Sequence, residues 1–92
     1  MASIDVHDER PGELRVTVTE GKASTTHTVT LDDAYYRKLT GGKIPAAELV
    51  RRSFEFLLER EPKESILRSF ALPVIGRYFP EYEEEIRRGL AD

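Results

Sequence analysis

The stretch from Pro45 to Glu61, PAAELVRRSFEFLLERE, restricts what this chain can fold into more than any other. Ala46, Leu49, Val50, Ser53, Phe54 and Leu57 fall at i, i+3, i+4, i+7, i+8 and i+11, one face of a helix with 3.6 residues per turn. Phe56 and Leu58 widen that stripe, so the helix needs cover from more than one neighbour. Glu48 is spaced to meet Arg51 or Arg52, and Arg51 to meet Glu55, pairs worth about 0.2–0.5 kcal/mol each. Pro45 suits the first helical position, where its missing N–H is no loss. Ile44, the N-cap by position, has no side-chain oxygen for the free amides. Pro62 forbids continuation, so the spacing predicts a helix over residues 45–61.

Cover for such a stripe is written upstream. In Glu13 to Thr19, Leu14, Val16 and Val18 alternate with Arg15, Thr17 and Thr19; in Thr25 to Leu31, His27, Val29 and Leu31 alternate with Thr26, Thr28 and Thr30. Period-two alternation marks half-buried strands, and the Gly of EGKAS between them supplies a turn, so an antiparallel hairpin is expected. Asp32 and Asp33 then open a short helix, Asp33 to Leu39, with acids at its positive end. Thr40-Gly41-Gly42 breaks it, because Gly accepts the left-handed conformation of a C-cap. His27, on the inward side of its strand, is expected as a hydrogen-bonded core or rim residue rather than a catalytic base.

The two ends are less regular. Met1 to Gly12 is polar and ends in Pro-Gly; Ile4 and Val6 could add a short strand, but residues 1–12 are expected to fray. Asp5, His7 and Asp8 are metal-ligand types, but nothing around them in sequence orients them, and no metal site is assigned. Glu64 to Phe70 places Ile66, Leu67 and Phe70 at helical spacing; beyond it Ile75, Tyr78, Phe79, Tyr82, Ile86 and Leu90 keep a three- or four-residue step. Pro80 divides this into a short helix near 73–79 and another near 81–88, the latter with Glu81, Glu83, Glu84 and Glu85 at its start and Arg87-Arg88 at its end, matching the helix dipole. The tail of 64–92 either folds back over Phe56 and Leu58 or presents its stripe to another chain; fold-back is the expectation, because the connection through Pro62-Lys63 is short.

Composition narrows the function classes. Ninety-two residues suffice for one small domain, and 39% apolar with 34% charged residues suits a charge-rich surface rather than disorder. There is no Cys, which removes disulfides and thiolate chemistry. No apolar run spans a membrane and no signal peptide opens the chain, so a cytoplasmic setting is expected. A net charge of −3 argues against nucleic acid, whose binding rests largely on neutralised phosphates. There is no phosphate-cradling Gly loop, nucleophile elbow, HExxH or recognisable Ser/His/Asp spacing, so neither an enzyme nor a cofactor is expected.

Two resemblances add to this. The run FLLEREPKESILRSF to VIGRYFPEYEEEI, Phe56 to Ile86, resembles a family of small bacterial proteins of no assigned function that share this helix end and Tyr-Phe-Pro-Glu-Tyr tail. Residues 26–59 are similar to ribbon-helix-helix DNA-binding regulators, in which a strand and a helix precede a second helix opened by Ser-x-Ser-Glu-Leu. Glu48-Leu49-Val50-Arg51 matches that opening, while Pro45 and Ala47 replace the serines. The resemblance implies base contacts from Thr26, Thr28 and Thr30, yet that strand carries no Arg, Lys, Asn or Gln to read bases. The sequence therefore predicts an α+β fold: an N-terminal antiparallel hairpin, then three to four helices. The expected role is a non-enzymatic interaction or regulatory module that meets a protein partner or a second copy of itself; a DNA-binding regulator is the alternative. Candidate contact residues are Thr26, Thr28 and Thr30 on the hairpin and Ile75, Phe79, Tyr82 and Ile86 on the tail.

Overall fold

A computed structural model describes residues 2–90. The strand patterns and helix stripe become a four-stranded sheet with four helices, a mixed α+β architecture. In chain order the elements are β1 (Ser3–Arg10), β2 (Glu13–Glu20), β3 (Ala23–Thr30), α1 (Asp33–Thr40), α2 (Ala46–Leu58), a single 3₁₀ turn (Lys63–Ser65), β4 (Ser69–Ala71), α3 (Val74–Tyr78) and α4 (Tyr82–Leu90).

The hairpin forms as its alternation requires, with Glu20 opposite Ala23 and Leu14 opposite Val29. Its two-residue turn has φ +60° at Gly21 and no positive φ at Lys22, the II′ pattern that follows strand twist. It is, however, the centre of a larger sheet. Of the segment expected to fray, Met1 lies outside the described residues, and Ser3 to Arg10 instead pair antiparallel with β2, with Ile4 opposite Val18 and Val6 opposite Val16. Pro11-Gly12 is the turn that returns the chain, Gly12 taking φ +80° while its carbonyl accepts the Leu31 N–H at 2.9 Å. On the other side, Ser69–Ala71 adds parallel to β3, Phe70 lying beside Val29. The helix expected over Glu64–Phe70 is thus replaced by the 3₁₀ turn and a strand. A parallel neighbour needs a long crossover, and α1 and α2 provide it.

α1 is capped by Asp32, which accepts the Tyr35 N–H at 2.8 Å, and ends on Gly41 at φ +62°. Pro45 is the N-cap of α2 rather than its first helical residue, and the helix ends at Leu58, a turn earlier than Pro62 requires. Leu14, Val16, Val18, Val29, Leu31, Leu39, Leu49, Val50, Phe54 and Leu57 are all buried, while Ala46 at the start of the α2 stripe is half-buried. The width of the α2 stripe is used on two sides. Phe54 faces the sheet, its ring 5.3 Å from His27 and 6.0 Å from Phe70; Phe56 faces the tail, 5.9 Å from Phe79 and 5.3 Å from Tyr82.

The tail folds back. Ile75, Tyr82 and Ile86 are buried and Phe79 is half-buried. Tyr82 reaches Ser53 of α2 through a 2.6 Å hydroxyl contact, and Glu83 accepts the Tyr35 hydroxyl of α1 at 2.8 Å. Lys63, 5% exposed, holds the 3₁₀ turn against the hairpin through Glu20 at 3.2 Å and its neighbour Glu64 at 2.7 Å. Among the described residues, no helix is long and apolar enough to cross a membrane.

Candidate functional site

The sheet's outer face carries the first set of candidates. Thr26 and Thr30 are exposed and Thr28 is half-buried, and across the strands they stand opposite Thr17, Glu13 and Arg15. On β1, Asp5 and His7 continue this face, opposite Thr17 and Arg15. The result is a polar, pleated surface of hydroxyls with scattered charges. Both edges of β3 are occupied, one by β2 and the other by β4. No group of three or more metal-ligating side chains occurs among the described residues.

The second set does not form one surface. Tyr82 and Ile86 lie inside the core, whereas Ile75 and Phe79 reach the wall of a recess beside β4. This pocket, about 230 Å³, is built where α2, the outermost strand and α3 converge. Leu57 and Glu61 come from the end of α2 and the turn after it; Ile66 and Leu67 lead into β4, and Phe70 lies on it. Val74, Ile75, Tyr78 and Phe79 supply the far wall from α3 and its C-cap.

Each wall has a local cause. Pro62 ends the helical path, so the chain leaves α2 through the turn that Lys63 pins and Glu61 is left at the rim. Arg60 turns the other way, its guanidinium 3.6 Å from the centre of the Phe56 ring and 3.1 Å from Glu81. Leu67 is held by its backbone rather than its side chain. Its carbonyl accepts the Nδ1–H of buried His27 at 2.7 Å, while His27 Nε2 accepts the Thr25 hydroxyl at 2.8 Å. A carbonyl can only accept, which fixes the tautomer. Burial holds the His27 pKa below its ordinary value, against the Leu67 carbonyl, which favours the cation; nearby Arg68 adds to the lowering. The ring is thus a neutral clamp between β3 and the pocket's lip.

Two features set this recess apart from ordinary packing. Leu67 and Tyr78, the two large hydrophobic side chains exposed among the described residues at 47% and 67%, both stand on its rim. Glu61, its one charged lining residue, makes no ion pair or side-chain hydrogen bond among the described residues, whereas every other glutamate is within 4.0 Å of an Arg or Lys. Burial pushes the Glu61 carboxyl pKa up. Glu48 shows the opposite condition: hydrogen bonds from Arg51 and Arg52 hold its carboxyl down at about 2.

Of the tail residues named from sequence, Ile75 and Phe79 lie together along this recess, beside Leu67, Tyr78 and Glu61, which were not among the candidate contacts. The signal for Glu61 was its position: it stands immediately before a helix-stopping Pro, and the residues three and four before it, Leu58 and Leu57, carry no charge. Comparison with protein-family models, curated proteins and solved structures returns no match to this chain.

Proposed function

We propose that this protein is a non-enzymatic interaction module whose contact surface is the apolar pocket between the end of α2, β4 and α3. The observation that carries this reading is the coincidence of both exposed large hydrophobic side chains, Leu67 and Tyr78, on the rim of one apolar recess. Apart from Glu61, Ser65 and the Tyr78 hydroxyl, the lining is hydrocarbon, which suits recognition better than bond-making chemistry. Scattered apolar residues on a surface need no explanation, but clustered ones at a concavity mark a binding site.

The test is a display selection of random peptides against the immobilised protein, with binders mapped by amide shift changes. Binders should perturb Ile66, Leu67, Val74 and Tyr78, and should lose affinity to the Leu67→Ser/Tyr78→Ser variant. Binders that instead perturb Thr26, Thr28 and Thr30 would move the contact surface to the sheet's outer face and refute the assignment. The DNA-binding alternative would have β3 pair with a second copy, whereas β2 and β4 lie along both its edges.

A further inference from the structure

The pocket lies beside an unfinished sheet. In the parallel register Val29 is beside Phe70, so the Phe70 N–H and C=O face β3. The flanking bonds confirm the phase: Thr28 N–H meets the Arg68 carbonyl at 2.7 Å, and Leu72 N–H meets the Thr30 carbonyl at 2.9 Å. The peptide groups of Ser69 and Ala71 must then point away from β3, across the open edge of the sheet. Both residues are exposed, and neither backbone makes a hydrogen bond to another described residue outside the ladder. No residue of β1, β2 or β3 lines the cavity, so it sits at this end of the sheet, on the face to which Phe70 points.

We propose that the occupant is an extended peptide segment that adds to the open edge of β4, seats one large apolar side chain in the cavity and sets a neighbouring lysine or arginine against Glu61. This deepens, and rests on, the reading of the pocket as the contact surface. A strand placed along that edge bonds to Ser69 and Ala71 and presents alternate side chains to the Phe70 face, directly over the cavity. The cavity's size selects the group: 230 Å³ exceeds the roughly 150 Å³ that accepts benzene, yet falls below the roughly 300–1,000 Å³ of small-molecule sites. One leucine- or phenylalanine-sized side chain fits; a cofactor does not. Leu67 and Tyr78 would flank the seated side chain and lose their exposure to water. Glu61 supplies the charge preference, since Arg68 and Arg77 stand outside the lining.

β4 is three residues long, so the edge sets register while the pocket supplies most of the affinity. The edge is also fixed in advance, by His27 on the Leu67 carbonyl and Thr28 on the Arg68 carbonyl.

The probe is a set of capped seven-residue peptides with leucine, phenylalanine or serine at the centre and lysine, glutamine or glutamate beside it, titrated into the full chain and followed by amide shifts and amide exchange. Leucine- and phenylalanine-centred peptides should shift Ile66, Leu67 and Val74 and slow exchange at Ser69 and Ala71. Lysine should be preferred over glutamine by about two- to fivefold, as for a partly exposed ion pair, and Glu61→Gln should erase that preference. N-methylation of the peptide amides that face β4 should weaken binding and end the slowed exchange at Ser69 and Ala71, and Ala71→Pro, which deletes an N–H that the β3 ladder does not use, should weaken it likewise. Unchanged binding of N-methylated peptides, with shifts confined to the cavity, would overturn strand addition and leave the pocket reading standing. Absence of shifts in the cavity with every apolar-centred peptide would overturn both. Concentration-dependent dimerisation protecting Ser69 and Ala71 would overturn the peptide in favour of a second copy.

Discussion

The packing of α4 on α2 turns on one buried polar contact, and a double-mutant cycle reads its worth. Tyr82 is fully buried, with its hydroxyl 2.6 Å from Ser53 Oγ. Ser53 gives its own proton to the Leu49 carbonyl at 2.8 Å, so the phenol must be the donor between the two side chains. Tyr82→Phe removes one bond and leaves Ser53 still bonded, a loss of about 1 kcal/mol. Ser53→Ala strands a phenol in the core, costing about 1–3 kcal/mol. The double variant strands nothing, so it should cost about as much as the cheaper single change, a coupling of about 1–3 kcal/mol. For a chain of this size each kcal/mol moves Tm by about 4–8 °C. Urea and thermal unfolding of the parent and three variants measure the cycle. Single effects that add to within about 0.5 kcal/mol would refute the contact and, with it, the docking of α4 that it anchors.

Three other outcomes follow from the site. His27, its pKa lowered chiefly by burial, binds a proton more readily in the unfolded chain; its contribution is fully present above the ordinary value of 6.5 and is lost as pH falls below it toward the lowered folded value, so a His27→Gln variant should show a flatter stability profile there. Glu61, its carboxyl raised by burial, destabilises the fold once ionised: Glu61→Gln should melt higher than the parent at pH 7, and the gap should close as pH falls below the ordinary 4.5, where the parent's carboxyl is protonated folded or unfolded. Tyr78→Ser should change unfolding free energy by no more than about 0.5 kcal/mol, as measured in urea, because its side chain lies largely in water, whereas Leu67→Ser, about half-buried, should cost about 1 kcal/mol.

What the sequence made legible was periodic. The α2 stripe, the two alternating strands and the Asp-to-Gly bounds of α1 all follow from side-chain spacing, and the core residues they implied are buried. What it hid was decided by pairing. Ile4 and Val6 are too few to announce a strand, and β1 exists because β2 offers it an edge, although Pro11-Gly12 was a turn signal in plain view. The spacing of Ile66, Leu67 and Phe70 is genuinely helical, but Pro62 and Pro73 leave only ten residues between them, and β3 had an unsatisfied edge. Backbone pairing outweighed side-chain period over those residues. Pro45 shows a smaller override: its ψ of 156° lies outside the helical range, so it precedes the helix instead of starting it.

The same competition explains where the pocket lies. Phe54 and Phe56 are two residues apart on α2 and so point to different layers, one to the sheet and one to the tail. The chain after Pro62 must serve both: Phe70 on β4 extends the cover under Phe54, then Phe79 and Tyr82 close over Phe56. Between those layers stands only the five-residue α3, and the gap it spans opens between Leu67 and Tyr78. A gap of that origin needs no function, and apolar side chains alone would make it a packing remnant. Glu61 argues otherwise. A chain that pairs each of its other glutamates with a base, yet leaves one carboxylate half-buried against hydrocarbon, sacrifices stability at that one place. On the proposed reading of the pocket, that cost is what a basic side chain of an incoming peptide would relieve.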